Sequence, residues 1–154
     1  GTAMVALRRS GRLLPLADLV TPNLPEAEAL LGRPVRGIAT MTAAAEALLG
    51  IGARAVLLKG GHLRGDAVDV FTDGCRTLVL RAPRLASRNT RGTGCVLSTA
   101  IACHLARGRA LPQAVRLGKA FGTAAIRGSY RSGPGRGPVN PCAAGFCAEG
   151  LACR

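Results

Sequence analysis

Aromatic residues are scarce in this sequence of 154 residues: phenylalanine, tyrosine and tryptophan together make up 3%, and tryptophan is absent. Hydrophobic residues nevertheless reach 48%, so a core must be built from alanine, valine, leucine and isoleucine. Such side chains pack well in helices and in sheets that are covered on both faces. We therefore expect one domain of the α or α/β class rather than a small β-sandwich.

Acidic residues and lysine are also few. Aspartate and glutamate number 8 against 21 lysines and arginines, which gives a net charge of +13, and lysine occurs only at Lys59 and Lys119. This charge attracts polyanions such as nucleic acid, anionic membranes and phosphorylated small molecules. The arginines are scattered rather than clustered, and a single tyrosine offers little stacking for bases. Both observations argue against nucleic-acid binding.

Long apolar runs and paired cysteines are missing as well. No apolar run approaches the roughly 18 to 20 residues that span a bilayer, and the first residues do not have the pattern of a signal peptide. We therefore expect a cytoplasmic protein without a membrane partner. The six cysteines contain no Cys-x-x-Cys pair, and their spacing indicates neither a zinc site nor a disulfide framework. Free thiols are expected.

Hydrophobic periodicity and turn residues divide the chain into helices that alternate with short strands. Four helices are predicted, over residues 22–31, 42–50, 95–106 and 111–128. Three strands are predicted, over residues 55–58, 66–72 and 76–80. Asp66 and Asp69 are expected to serve the hairpin formed by the last two strands. The alternation predicts an α/β fold with a mostly parallel sheet and an antiparallel hairpin at its edge.

Two segments carry residues suited to binding phosphate. Lys59 ends a predicted strand just before Gly60 and Gly61, and its ammonium group can pair with phosphate oxygens. A structural hydrogen bond is expected of His62. Residues 89–95 form a glycine loop that runs directly into an apolar helix, where backbone N–H groups and the helix dipole favour an anion. Taken alone, this loop favours a tight turn before a core helix over an anion site.

Three segments occur in an order and spacing that resemble the hydroxymethylpyrimidine/phosphomethylpyrimidine kinases of thiamine biosynthesis: TPNLPEAEALLG, VLLKGGHLRGDAVDVFTDG and NTRGTGCVLSTAIA. The resemblance covers roughly residues 4 to 140. It implies that residues 1–133 form the C-terminal, nucleotide-binding portion of a ribokinase-like three-layer α/β/α sandwich. The glycine- and proline-rich composition that follows, without periodicity, predicts a disordered tail at 134–154. The resemblance also implies ATP-dependent phosphorylation of 4-amino-5-hydroxymethyl-2-methylpyrimidine and its monophosphate.

The resemblance implies roles in phosphoryl transfer for five residues. Gly92, Thr93 and Gly94 correspond to the family's anion hole for the transferred group. Cys95 occupies the place of the catalytic aspartate of sugar kinases with this fold, and therefore acts as the base on the substrate hydroxyl. A helix N-terminus stabilises the thiolate form that this role needs. Lys59 bridges the ATP phosphates and the moving phosphoryl group.

Cofactor binding is implied for a second set. Asn23 and Glu26 resemble the Asn-x-x-Glu element, whose carboxylate organises Mg²⁺, and Gly61 belongs to the ATP-binding Lys-Gly-Gly-His segment. Lys119 falls where the family's helix borders the adenine pocket. Without the resemblance, Asn23 is an N-cap, Glu26 a first-turn acid and Lys119 a solvated charge. Homodimers are common in related folds, so self-association is a further expectation.

Three other interpretations remain open at this point. A pyridoxal-type kinase shares the fold and a hydroxymethyl acceptor, although that group typically has aspartate where Cys95 stands. A basic nucleic-acid-binding fragment would need clustered cations. An inactive remnant is also compatible, because the family's first strands and pyrimidine pocket would precede this sequence. We therefore expect an N-terminally truncated chain of marginal stability, since missing strands expose a sheet edge.

Overall fold

The computed structural model describes residues 14–61, 63, 65–131 and 133–144. The chain divides into two compact units, Gly1–Arg84 and Leu85–Arg154. The expectations for the first residues, for His62 and for residues 145–154 lie outside the described residues.

Two helices of the first unit precede its strands. After a short 3-10 helix at Leu14–Leu16, α1 spans Leu24–Leu31 and ends at Gly32, whose φ of +68° is the left-handed conformation that glycine adopts without strain. Helix α2 spans Ile38–Gly50 and so begins before the predicted Thr42. Thr40 explains the difference, because its Oγ1 accepts hydrogen bonds of 3.0 Å from the backbone N–H groups of Arg36 and Gly37. Thr40 thus fixes the turn that precedes α2, while the N-cap residue Gly37 makes no side-chain cap bond.

The sheet of the first unit contains β1 (Val56–Lys59), β2 (Ala67–Thr72) and β3 (Thr77–Ala82), in that order. The predicted hairpin is present, since β2 and β3 pair antiparallel with Val70 opposite Val79. The expectation of a mostly parallel sheet needs correction for the described residues, because β1 also pairs antiparallel with β2. The connection from 60 to 66 is too short for a parallel crossover, which needs about a dozen residues or more.

Parallel pairing in the described residues of this unit is confined to two bridges, Val20 with Val56 and Asn23 with Lys59. They place the segment before α1 alongside β1. Helices α1 and α2 pack against the sheet through a core of small and branched aliphatic side chains, as the lack of aromatics led us to expect. Its buried members include Leu24, Ala27, Leu30, Met41, Ala44, Ala45, Leu48, Val56, Leu58 and Val70. The α/β class is therefore confirmed.

The second unit is a helix pair. Helix α3 spans Thr93–Ala106 and α4 spans Leu111–Arg127. They approach closely at Gly118, where a Cβ would collide with the side chain of Ile101. Helix α3 starts before the predicted Cys95, so Thr93 and Gly94 lie in its first turn rather than in the loop.

The segment after α4 differs from the expected disordered tail. Pro138 forms a parallel bridge with Arg91, Val139 is 7% exposed, and a 3-10 helix follows at Pro141–Ala144. Backbone pairing with a distant loop orders these residues, although their glycine and proline content predicts irregular structure. Within the described residues, no helix combines the length and hydrophobicity needed to cross a bilayer.

We expect Gly60→Ala to destabilise the first unit. A Cβ at this buried position would meet the Val68 carbonyl oxygen and lie 2.9 Å from Met41 Cε. Overpacking of this kind costs about 1–3 kcal/mol, which urea unfolding would measure. Gly61→Ala is the matched control, because its Cβ would meet nothing within 4 Å. Equal stability of the two variants would contradict this packing.

Candidate functional site

The residues singled out from the sequence fall into two groups, one in each unit. The first unit holds Asn23, Glu26, Lys59 and Gly61. The second unit holds Gly92, Thr93, Gly94, Cys95 and Lys119.

Asn23 and Glu26 form a capping box at the start of α1. The Asn23 side-chain oxygen accepts from the Glu26 N–H at 2.9 Å, and Glu26 Oε2 accepts from the Asn23 N–H at 2.8 Å. The reciprocal bonds satisfy two N–H groups that the helix itself leaves without partners. They also fix the Glu26 carboxylate at the first turn of α1 while using only one of its two oxygens.

Lys59 lies beside this capping box. Its backbone N–H donates to the Pro22 carbonyl at 2.9 Å, and Lys59 pairs with Asn23 in a parallel bridge. The carboxyl end of β1 and the N-terminus of α1 therefore meet at one edge of the first unit. The structure thus brings Asn23, Glu26 and Lys59 together, as the strand-end rule for ligand sites in α/β sheets leads one to expect.

The turn that follows Lys59 is held from β2. The Gly60 N–H donates both to the Val68 carbonyl at 2.9 Å and to Asp69 Oδ1 at 3.0 Å. Asp69 is only 7% exposed and lies opposite Lys59 in the β1–β2 register. Asp69 was expected to serve the hairpin, and its carboxylate in fact also fixes the glycine turn after β1.

Arg84 was not singled out from the sequence, yet it fastens the rest of this loop. Its Nε donates to the Gly65 carbonyl at 2.6 Å, Nη1 to Gly61 at 2.9 Å and Nη2 to Leu63 at 2.6 Å. The planar guanidinium suits several acceptors at once because its five N–H donors diverge from one rigid group. An exposed arginine after a proline has no distinguishing sequence signal, so the pattern alone could not reveal this role.

In the second unit, a glycine in the left-handed region leads into α3. Gly92 is the N-cap residue with a φ of +85°, and its carbonyl accepts from the Val96 N–H at 2.9 Å. The Thr93 hydroxyl and the Thr93 N–H both donate to the Thr90 carbonyl, at 2.7 Å and 3.4 Å respectively. No side chain caps this helix. The N–H groups of Gly94 and Cys95 are therefore the first-turn donors that remain for an anion.

Cys95 is the third residue of α3 and is exposed. In this chain the Cys95 side chain is therefore not buried in the core. Within the described residues, Cys75, Cys95, Cys103 and Cys142 are free thiols, which confirms the expectation for these four.

Lys119 lies in the middle of α4, half-buried, next to the Gly118 contact with Ile101. Ile101 is about 9 Å further along α3 than Cys95, given a rise of about 1.5 Å per residue. The second unit therefore does not place Lys119 at the level of the anion loop. That Lys119 borders a bound nucleotide, away from the transferred phosphate, remains a prediction.

Comparison with known proteins shows extensive similarity. A profile of the family described as phosphomethylpyrimidine kinase matches residues 3–140. A hydroxymethylpyrimidine/phosphomethylpyrimidine kinase of Streptomyces coelicolor is 50% identical over 84% of this chain and 48% of its own length. Its counterpart in Rhizobium meliloti is 52% identical over 83% of this chain and 50% of its own length. The chain thus spans about half the length of these relatives.

Solved structures of kinases are also similar to this chain. The ADP complex of a pyridoxal kinase from Bacillus subtilis superposes with a TM-score of 0.85 and 36% identity, covering 92% of this chain and 54% of that protein. A phosphomethylpyrimidine kinase from Clostridium difficile gives a TM-score of 0.62 and 38% identity, covering 74% of this chain and 45% of that protein. The predicted ribokinase-like α/β fold is thereby confirmed.

We expect Arg84→Lys to loosen the loop after β1, because one ammonium group cannot replace the donors that reach Gly61, Leu63 and Gly65. Hydrogen exchange should show faster exchange of amides in the 60–66 loop, and unfolding should cost about 1–2 kcal/mol less. Arg81→Lys, at another exposed arginine nearby, is the control. Indistinguishable exchange in the two variants would refute the fastening role of Arg84.

Proposed function

Because this chain belongs to the phosphomethylpyrimidine kinase family, we propose that it carries the nucleotide-binding part of an ATP-dependent kinase of thiamine biosynthesis. Its acceptors are 4-amino-5-hydroxymethyl-2-methylpyrimidine and the monophosphate of that compound. The observation that carries this proposal is the glycine loop leading into the uncapped N-terminus of α3, with the exposed Cys95 thiol in the same turn. This arrangement supplies anion-binding donors and a base side by side.

The anion hole is the backbone at the start of α3. The N–H groups of Gly94 and Cys95 receive the oxygens of the γ-phosphoryl group, and the positive end of the helix dipole favours their negative charge. Phosphoryl transfer gains most from donors already in place where charge develops, since they need no reorganisation during the reaction. Thr93 contributes by closing the loop onto Thr90, and Gly92 by its left-handed conformation.

Cys95 acts as the general base. Its thiolate accepts the proton of the acceptor's hydroxymethyl group, whose oxygen then forms a bond to the γ-phosphorus. The bond between the γ-phosphorus and the β,γ-bridging oxygen breaks, and ADP leaves with that electron pair. The thiol returns its proton to solvent before the next turnover.

The first unit holds residues suited to binding MgATP. Lys59 pairs with the phosphate oxygens of ATP, and Gly61 lets the adjoining loop approach the nucleotide closely. Glu26, fixed by its capping box with Asn23, fits Mg²⁺ as a hard carboxylate ligand acting through water, and the ion when bound neutralises phosphate charge. Lys119 borders the nucleoside end. These roles are supported by the convergence of Asn23, Glu26 and Lys59 at one strand end.

Pyridoxal is the second candidate acceptor. A pyridoxal kinase from Staphylococcus aureus, described in complex with AMP-PCP and pyridoxal, superposes with a TM-score of 0.86 at 31% identity. Pyridoxal also presents a hydroxymethyl group on an aromatic nitrogen ring, so the same base and anion hole would serve it. The higher identity to relatives named for the pyrimidine reaction favours the pyrimidine.

We expect Cys95→Ala to lower turnover at least about 100-fold, the usual contribution of a general base, while MgATP binding is unchanged. The assay measures ADP formation by the chain with ATP, Mg²⁺ and hydroxymethylpyrimidine, its monophosphate or pyridoxal in turn. Cys75→Ala, at an exposed cysteine of the hairpin turn, is the matched control. Turnover that survives in Cys95→Ala would remove the base, and a wild-type chain inactive on every acceptor would overturn the proposed activity.

A further inference from the structure

A segment after α4 returns to the glycine loop and pairs with it. We name residues 137–140 the tail strap. The Arg91 N–H donates to the Gly137 carbonyl at 3.1 Å, and the Arg91 carbonyl accepts from the Val139 N–H at 3.1 Å. The strap thus holds both backbone polar groups of the residue that immediately precedes Gly92.

The far end of the strap is tied to α4. The Asn140 N–H donates to the Ala125 carbonyl at 3.0 Å, and its side-chain Nδ2 donates to the Gly128 carbonyl at 3.2 Å. Asn140 Oδ1 also accepts from the Ala143 N–H at 3.3 Å. These bonds satisfy carbonyls at the end of α4 and connect the loop before α3 to the body of the helix pair.

Gly137, at the end of the strap that pairs with the loop, lies against the Asn89 side chain. A Cβ on Gly137 would collide with the Asn89 side-chain oxygen and lie 2.9 Å from its Cγ. Gly137 is buried, whereas Gly135, in the same segment, is exposed and a Cβ there would meet nothing within 4 Å. The Asn89 amide group occupies the place that a Cβ on Gly137 would take, so Gly137→Ala requires that side chain to move.

We propose that the tail strap is a positioning element for the anion hole, an inference that rests on the proposed kinase function. Gly92 sits in a left-handed turn at a helix start that no side chain caps. Its path is fixed on one side by the bonds from Thr93 to Thr90 and on the other by the strap at Arg91. The strap therefore determines where the N–H groups of Gly94 and Cys95 lie relative to the transferred phosphoryl group.

The loss of rate expected when the strap is loosened can be estimated from the chemistry of phosphoryl transfer. Catalysis of this reaction depends on positioning and charge stabilisation, and a misplacement of about 1 Å can cost about 100-fold in rate. The strap contacts the loop at Arg91, whereas Asn23, Glu26, Lys59 and Gly61, which are assigned to ATP, belong to the other unit. Loosening it should lower kcat much more than it raises KM for MgATP, which is the signature of an interaction made mainly in the transition state.

The test compares Gly137→Ala with Gly135→Ala, the same substitution at a crowded and an open position of one segment. We expect Gly137→Ala to lower kcat at least about tenfold with KM for MgATP changed less than about threefold. Amide exchange at 91–95 should accelerate while exchange at 56–59 stays unchanged. Gly135→Ala should match the wild type in all three measurements.

Asn140→Ala serves as a second variant should Gly137→Ala fail to fold, because it removes the tie to α4 without adding volume. It should lower kcat in the same direction by a smaller factor. Wild-type kcat in a folded Gly137→Ala, or in Asn140→Ala where the first does not fold, overturns the strap proposal alone. A wild-type chain without turnover instead overturns the proposed function, and the catalytic role of the strap with it.

Discussion

The start of α3 is a helix N-terminus without a side-chain cap, and the proposed chemistry depends on that constraint. Helix α1 closes its own N-terminus with the Asn23–Glu26 capping box, whereas the N-cap residues of α2, α3 and α4 make no side-chain cap bond. Helix α3 begins at a left-handed glycine that carries no acceptor. Backbone donors that no internal group satisfies must meet water or a ligand. A capping side chain here would stabilise the helix and occupy the position proposed for the phosphoryl group.

In each unit, a loop assigned to the proposed site is held by hydrogen bonds to its backbone rather than by hydrophobic contacts. Arg84 gathers the loop after Lys59, and the tail strap gathers the loop before Gly92. Each arrangement depends on a buried glycine at a point of close approach, Gly60 in one case and Gly137 in the other. Contacts of this kind hold an exposed loop in one position, which a binding or catalytic site requires.

The arginine excess is partly explained by the same contacts. Arg84 and Arg33 donate to backbone carbonyls, the latter to Ala43 at 3.0 Å. Others form exposed ion pairs, such as Arg54 with Asp18 at 3.4 Å, and such pairs contribute about 1 kcal/mol or less. These contacts give three of the arginines a local structural role.

Periodicity in the sequence was sufficient for the helices, the β2–β3 hairpin and the placement of Lys59 at a strand end. It placed the start of α2 four residues too late, at Thr42 instead of Ile38, because the bonds from Arg36 and Gly37 to Thr40 fix an earlier turn. It also failed where the contact was distant in sequence, as with the pairing of Arg91 and Pro138, which irregular composition conceals. The role proposed for Cys95 rests on the resemblance to the kinase family, because a cysteine at a helix start has no catalytic signature of its own.

The proposed function requires that this chain binds MgATP, and it assigns part of the phosphate binding to Lys59 at the carboxyl end of β1. Titration calorimetry of MgATP into this chain and into Lys59→Met tests it most directly. We expect saturable binding by the wild type and a loss of at least about tenfold in affinity in the variant, equivalent to about 1.4 kcal/mol for one charge-assisted contact. Equal affinity in the two proteins, or no binding by a folded wild-type chain, would contradict the account.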